Sequence, residues 1–221
     1  MRKIIGSVFV SLDGVMQAPG GPEEDRSGGF EFGGWLAKYL DDETGKRVDA
    51  LFAGKFDLLL GRRTFDIFAA YWPFAEGDNK ALGEKFDRAQ KFVLTRSDQR
   101  LDWRNSHRLA NLDALAEVKR SDGPDLIIQG SGGLYPQLLK AGLIDRLVLM
   151  TFPLVLGNGK RLFGEGTPPG SMRMVEHRVT SGGNIIAEYE PDGEVRTGTF
   201  VTEEPSPTEL RRREKVAKGA W

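Results

Sequence analysis

The chain has 221 residues, 39% of them hydrophobic and a further 28 glycine, enough for one generous domain or one domain with an appendage. Its 31 basic and 32 acidic side chains leave a formal charge of -1, so no global field draws it to nucleic acid or to an anionic membrane. The absence of cysteine excludes disulfides, thiolate nucleophiles and sulfur-ligated metals, and the two histidines, His107 and His177, are too far apart in sequence to suggest a metal pair; no metal site is expected.

The first predicted element is a strand over residues 4–12, almost continuously apolar as befits a strand covered on both faces. The basic start Met1-Arg2-Lys3 resembles an export signal, but Asp13 and the glycines cut its apolar run short. No stretch approaches the roughly 18 apolar residues of a membrane span, and a cytoplasmic location is expected. Residues 17–34 carry two prolines and many glycines without periodicity and predict a long loop, a length that in compact domains often serves function. Helical turns are expected over 35–40 and 43–53, with Val48, Leu51 and Phe52 on one face. A short buried strand over 57–60 meets Gly61 and Arg62-Arg63-Thr64, ahead of a helix carrying Phe65, Phe68 and Ala69.

A strand over 91–95 ends in Thr95-Arg96, and a weak helical pattern covers 109–118. Leu126-Ile127-Ile128-Gln129 then runs into Gly130-Ser131-Gly132-Gly133 and a helix with Leu134, Leu138, Leu139 and Leu143 along one face. A strand over 146–152 follows and turns away at Pro153. An antiparallel pair over 174–178 and 184–190 closes the domain, taken as residues 1–190. The extension, residues 191–221, is expected to hold a strand over 195–201, a linker over 203–207 and a charged helix over 209–218 capped by Ser206 or Thr208. Its Arg211-Arg212-Arg213 run is diluted by Glu209 and Glu214 and reads as a solvated face rather than a nucleic-acid site. The class is α/β with a mixed sheet.

Three junctions thus place glycines, hydroxyls or guanidinium groups after strands, and in open α/β sheets the carboxyl edge of the strands is where ligands bind. Gly130, Ser131, Gly132 and Gly133 suit a pyrophosphate held on main-chain N–H groups, because residues without Cβ admit an anion close to the backbone. Arg62, Arg63, Thr64, Thr95 and Arg96 offer donors for further phosphate and ribose groups. Several phosphates on one ligand point to a dinucleotide, and the arginines favour its 2′-phosphorylated form. Competing motifs fail on spacing. Gly159-Lys160 is followed by Arg161 where a Walker loop needs a hydroxyl, Gln129 stands where a nucleophile elbow needs glycine, and Tyr135 replaces the third glycine of a Rossmann fingerprint.

Val10-Ser11-Leu12-Asp13-Gly14, Leu60-Gly61-Arg62-Arg63-Thr64-Phe65, Val93-Leu94-Thr95-Arg96 and Gln129-Gly130-Ser131-Gly132-Gly133-Leu134-Tyr135 resemble, in this order, the signatures of the dihydrofolate reductase-like superfamily. Leu143-Ile144-Asp145-Arg146-Leu147 and Pro153-Leu154-Val155-Leu156-Gly157-Asn158-Gly159 are similar, more narrowly, to the reductase domain of riboflavin biosynthesis and its stand-alone relatives. The resemblance covers residues 1 to about 190. It implies a mostly parallel eight-stranded sheet flanked by helices, NADPH as cofactor and hydride transfer to a C=N bond of a small heterocycle, pterin-like or ribosylaminopyrimidine-like. Carried over by position, Gly61 to Thr64 and Thr95-Arg96 contact the adenosine half and phosphates. Gly130 to Gly133, with Leu134 and Tyr135, contact the pyrophosphate and nicotinamide side. Ile67 and Phe68 match positions that face the substrate, and Asp13 borders the nicotinamide. Relatives pair through exposed strands, so a homodimer is expected.

The proton donor stays open at this point. The Trp/Leu-Pro sequence that precedes the acid of folate reductases is absent, which leaves Asp13 or Asp42, with Asp41 and Glu43 as neighbours that equally suit helix caps. Trp35 suits substrate stacking or a core anchor. Gln129 stands where riboflavin-type reductases commonly carry glutamate and cannot act as an acid. The non-enzyme alternative is a nucleotide-binding or oligomerisation module on the same scaffold.

Overall fold

The computed structural model describes residues 1–201 and 203–220. The strands are β1 Ile4–Ser11, β2 Phe56–Gly61, β3 Lys91–Leu94, β4 Ser106–Leu109, β5 Asp125–Gln129, β6 Arg146–Phe152, β7 Met172–Val179 and β8 Ile185–Pro191. The helices are α1 Asp42–Leu51, α2 Arg62–Tyr71, α3 Lys80–Arg88, α4 Leu112–Arg120, α5 Tyr135–Lys140 and α6 Pro207–Ala217. All eight strands join one sheet in the order β4-β3-β2-β5-β1-β6-β8-β7, parallel throughout except for β8. The α/β class and the mostly parallel eight-stranded sheet flanked by helices are therefore as expected.

The order of strands creates the site. After β1 the chain steps over one place to lay down β2, β3 and β4 outward, then returns to fill the gap with β5, which pairs with both β1 and β2. Connections leave that gap in opposite directions, so a crevice opens beyond the carboxyl ends of β2, β5 and β1. Alternating side chains separate two cores. One face of the sheet packs Ile4, Val8, Leu59, Leu126, Ile128 and Leu138 beneath α4 and α5. On the other face Phe52, Phe56, Leu58, Phe65, Phe86 and Ile127 pack against α1, α2 and α3.

Local rules explain the helix starts. Asp41 and Asn111 accept from the amides of Thr44 and Ala114 and cap α1 and α4, and Ser206 caps α6 as expected. The expected helix over 109–118 begins only at Leu112, because Ser106–Leu109 is instead the exposed edge strand β4, whose two exposed middle residues erase the apolar alternation of a strand. Helix α3 was not foreseen either. It is polar on average and buries little besides Gly83 and Phe86.

The expected strand over 195–201 does not form. Asp192 and Gly193 still exchange backbone bonds with Ser171, but Val195, Phe200 and Val201 are exposed and no strand of the sheet lies beside them. A strand needs a partner to satisfy its backbone, and β propensity alone does not supply one. Helix α6 likewise buries no residue. No helix among the described residues is long and apolar enough to cross a membrane.

Candidate cofactor and substrate cavity

Strands β2 and β5 end side by side, and their terminal loops are tied across the sheet. The Gly61 amide donates to Ser131 Oγ at 3.0 Å, and the Ser131 amide donates to Thr64 Oγ1 at 3.1 Å. This crossed pair uses both hydroxyls as acceptors, leaving their O–H groups able to donate, and the chain leaves β5 through two left-handed residues, Gly130 (φ +76°) and Ser131 (φ +53°). A side chain at Gly130 would be strained by that backbone, and a Cβ at Gly132 would stand 2.9 Å from Met16 Sδ. Gly133 differs. Its φ is not positive and a Cβ there would touch nothing within 4 Å, so neither conformation nor packing calls for glycine. It lies in the wall of the cavity, where its bare backbone is open.

A cavity of about 1700 Å³ opens over these turns. Binding sites for one small molecule usually measure about 300–1000 Å³, so this one has room for an extended ligand and a second molecule beside it. Gly61, Arg62, Arg63, Thr64, Gly130, Ser131, Gly132, Gly133 and Leu134 all line it, as do Ile67 and Phe68. These predicted site residues come together although they span more than seventy positions of sequence.

Other predicted residues lie elsewhere. Tyr135 is wholly buried and is not part of the cavity wall; its ring lies over Gly6 in β1, where a Cβ would be 2.6 Å from Tyr135 Cε1. Burial pushes its phenol up, and its hydroxyl has no partner. The expected contact with the nicotinamide side is corrected to a core role, because helix α5 turns residue 135 toward the sheet. Glycine in the middle of β1 was the available signal, since it marks close approach of another group. Thr95 and Arg96 follow β3 at the same sheet edge, but the cavity wall takes Leu94 and not these two.

The candidate acids also stand apart from the cavity wall. Asp42 is exposed in the first turn of α1, and its neighbour Asp41 is the helix cap, held also by Asn184 at 3.0 Å. Asp13 joins two loops: it accepts from the amides of Leu156 (3.1 Å) and Gly157 (2.9 Å) and from Ser11 Oγ (2.6 Å). The Ser11 hydroxyl foremost, with these amides and against the cost of desolvation, holds its carboxyl at about 2. A carboxylate that accepts so many hydrogen bonds stays ionised and is a poor proton donor. Trp35 is buried, donates from Nε1 to the Gln17 carbonyl at 2.9 Å and meets Phe152 edge to face at 5.6 Å, so it anchors the long loop from beneath.

That loop forms the roof. Gln17 is buried, and its amide donates to the carbonyls of Asp25 and Ser27 while its Oε1 accepts from the Lys160 amide, stapling residues 17–27 to residue 160. Backbone bonds from Met16 to Lys160 and from Leu162 to Gly14 continue the seam. Glu24 belongs to this roof and lines the cavity, and the sequence reading did not single it out. Desolvation chiefly, with Asp25 nearby, pushes its carboxyl up despite the bonds from the Gly20 and Gly21 amides. It is the cavity-lining carboxylate, among the described residues, with a raised proton affinity. No sequence pattern announces it, because its burial depends on the roof folding over.

Comparisons with known proteins fit this geometry. The model of the RibD C-terminal domain family matches residues 2–186. The uncharacterised protein YyaP of Bacillus subtilis (strain 168) is 28% identical over 198 residues, spanning 87% of this chain and 96% of its own. A putative riboflavin biosynthesis protein from Shewanella sp. PV-4 superimposes with a TM-score of 0.62 at 21% identity, covering 86% of this chain and 99% of that one. A pyrimidine reductase-like protein from Corynebacterium diphtheriae gives 0.55 at 15% identity, with 89% and 93% covered. Dihydrofolate reductase from Enterococcus faecalis, complexed with NADP(H) and RAB-propyl, gives 0.53 at 15% identity, with 86% and 96% covered. The fold is dihydrofolate reductase-like.

Proposed function

The chain belongs to the RibD C-terminal domain family, and from that premise we propose that it is an NADPH-dependent reductase of a small nitrogen heterocycle. The observation that carries this reading is the cavity with two unlike ends. At one end lie Gly61 to Thr64 and Gly130 to Gly133, backbone-lined and with Gly133 open to a ligand. At the other is an apolar recess walled by Val48 and Phe52 of the α1 region and by Ile67 and Phe68 of α2.

The residues present suit the cofactor. Main-chain N–H groups of Gly130, Gly132 and Gly133 would hold the pyrophosphate, since the Ser131 amide is taken by Thr64 Oγ1, and Arg63 would meet the 2′-phosphate. Arg63 is exposed at the start of α2 and, among the described residues, carries no ion pair or hydrogen bond of its own. NADPH supplies hydride when bound. The chain's own part is to orient two rings, exclude water and deliver a proton. The roof over 17–27 excludes water, and Glu24 is suited to hold the proton that balances hydride addition to a C=N bond.

Titration with NADPH and with NADH, followed by nicotinamide fluorescence, tests the first step. The expected result is binding of both with NADPH about ten-fold or more the tighter, a gap worth about 1.4 kcal/mol. No binding of either overturns the reading. Binding without cofactor oxidation against dihydrofolate or a ribosylaminopyrimidine would favour the non-catalytic alternative.

A further inference from the structure

We infer that the substrate of this cavity carries no phosphate: the recess is built for a flat aromatic heterocycle that is neutral or cationic. The inference rests on the reductase reading and names its substrate class. Four cationic side chains line the cavity among the described residues, namely Arg62, Arg63, Lys160 and Arg161. Three are already spent. Arg62 is paired with Asp66 at 2.9 Å and donates to the Gln99 carbonyl at 3.0 Å. Lys160 is held by Asp25 at 2.5 Å and by Ser27 Oγ at 2.6 Å. Arg161 donates to the carbonyls of Gly157 and Asp13 at 2.7 and 2.9 Å. Among the described residues Arg63 alone of the four carries no ion pair or hydrogen bond, and it adjoins Gly61 and Thr64 at the end assigned to the dinucleotide.

The recess itself offers a phosphate nothing. Its walls are Val48, Phe52, Phe68, Trp72 and Phe86, where Phe68 and Phe86 lie nearly parallel with centroids 5.9 Å apart. Its roof presents Glu23, Glu24 and Asp25, acidic side chains that offer an anion no cation. A phosphate taken from water into such a place gains no cation and loses its hydration, a large penalty for any buried charge without a partner. A flat ring loses nothing of the kind and gains contact with aromatic faces.

The floor adds a polar mark. Gln129 lines the cavity at the end of β5, and its Oε1 is buried without a hydrogen-bond partner among the described residues. Ser7, its register partner on β1, likewise has a buried hydroxyl with no partner. An unpaired buried acceptor costs about 1–3 kcal/mol, and the Gln129 amide recovers this by turning to a ring N–H. Unlike a carboxylate at that place, a neutral amide also accepts a ring bearing both a donor and an acceptor. The recess therefore selects a heterocycle by its N–H edge and its lack of a phosphate.

A matched pair of probes decides the matter. With the full chain saturated by NADPH, 5-amino-6-ribosylaminouracil and its 5′-phosphate are titrated by calorimetry. The expected result is an affinity for the unphosphorylated compound at least about ten-fold the higher. Equal or tighter binding of the phosphate, or no binding of the unphosphorylated ring, overturns the inference. Failure of NADPH itself to bind is seen in its own titration and overturns the parent reading instead. Phe68→Arg places a cation in the recess and is expected to narrow the gap about ten-fold. A gap that stays the same in a variant with a cooperative thermal transition counts against the inference. Gln129→Leu is expected to weaken the unphosphorylated probe about ten-fold, and an unchanged affinity would overturn recognition of the ring's N–H edge by Gln129.

Discussion

The two ends of the cavity are made from different materials. The end over β2 and β5 is made of backbone, where two left-handed residues turn the chain and a crossed pair of bonds from amides to hydroxyls ties the two loops together. The recess between α1 and α2 is made of side chains that come from five separate stretches of chain. A backbone-built site tolerates no added atoms and demands glycine, so it leaves a dense local mark. A side-chain site is assembled by packing and leaves none.

Substitutions that damage one end and spare the other would sharpen that contrast. Gly133→Val puts three carbons where the backbone is open, and we expect NADPH affinity to fall about 100-fold. The melting temperature should hardly move, since no atom lies within 4 Å of the added Cβ. A large loss of stability would instead show that the glycine serves packing. Phe68→Ala removes a ring stacked on Phe86 and packed beside Trp72. As the ring is only partly buried, its loss should cost about 2 kcal/mol in denaturant unfolding, below the usual range for a fully buried phenylalanine.

Arg63→Ala should lower NADPH affinity about ten-fold and leave NADH affinity as it was. Equal loss for both dinucleotides would place Arg63 at another phosphate. The smallest expected effect lies in the roof that covers both ends. Asp13→Asn should cost about 1 kcal/mol at neutral pH, as a charge-assisted bond to the 153–161 loop is weakened. Because the carboxyl is lowered from 3.8 to about 2, its contribution is complete above the ordinary value and is lost as pH falls through the lowered one. Stabilities of the native and variant proteins should therefore converge between about pH 4 and pH 2. A constant difference down to pH 2 would show that Asp13 acts through packing.

Legibility followed the same division. Gly61, Thr64 and Gly130 to Gly133 were visible in sequence, because strand, glycine and helix patterns collide within a few residues. Tyr135 sits in the same motif yet belongs to the core, a matter decided by the direction in which α5 leaves Ser131 and by the bare backbone of Gly6. Asp42 looked suitable as an acid near Trp35, but its exposure follows from Asp41 capping the helix one residue earlier. Glu24 carried no mark at all. Its carboxyl is raised chiefly by desolvation, with Asp25 nearby, in a roof that the Gln17 bonds hold folded.

By itself the sequence determined the α/β class, the strands that alternate apolar runs with glycine turns, and a turn after Gln129 built largely of residues without Cβ. These are local consequences of backbone sterics and hydrophobic periodicity, which neighbouring residues fix between them. Tertiary structure alone decided that β5 fills the gap between β1 and β2, so that turns seventy residues apart face one cavity. It also decided which cations are already paired and which carboxylate is desolvated. Charge pairing and burial depend on distance in space, and no spacing along the chain encodes them.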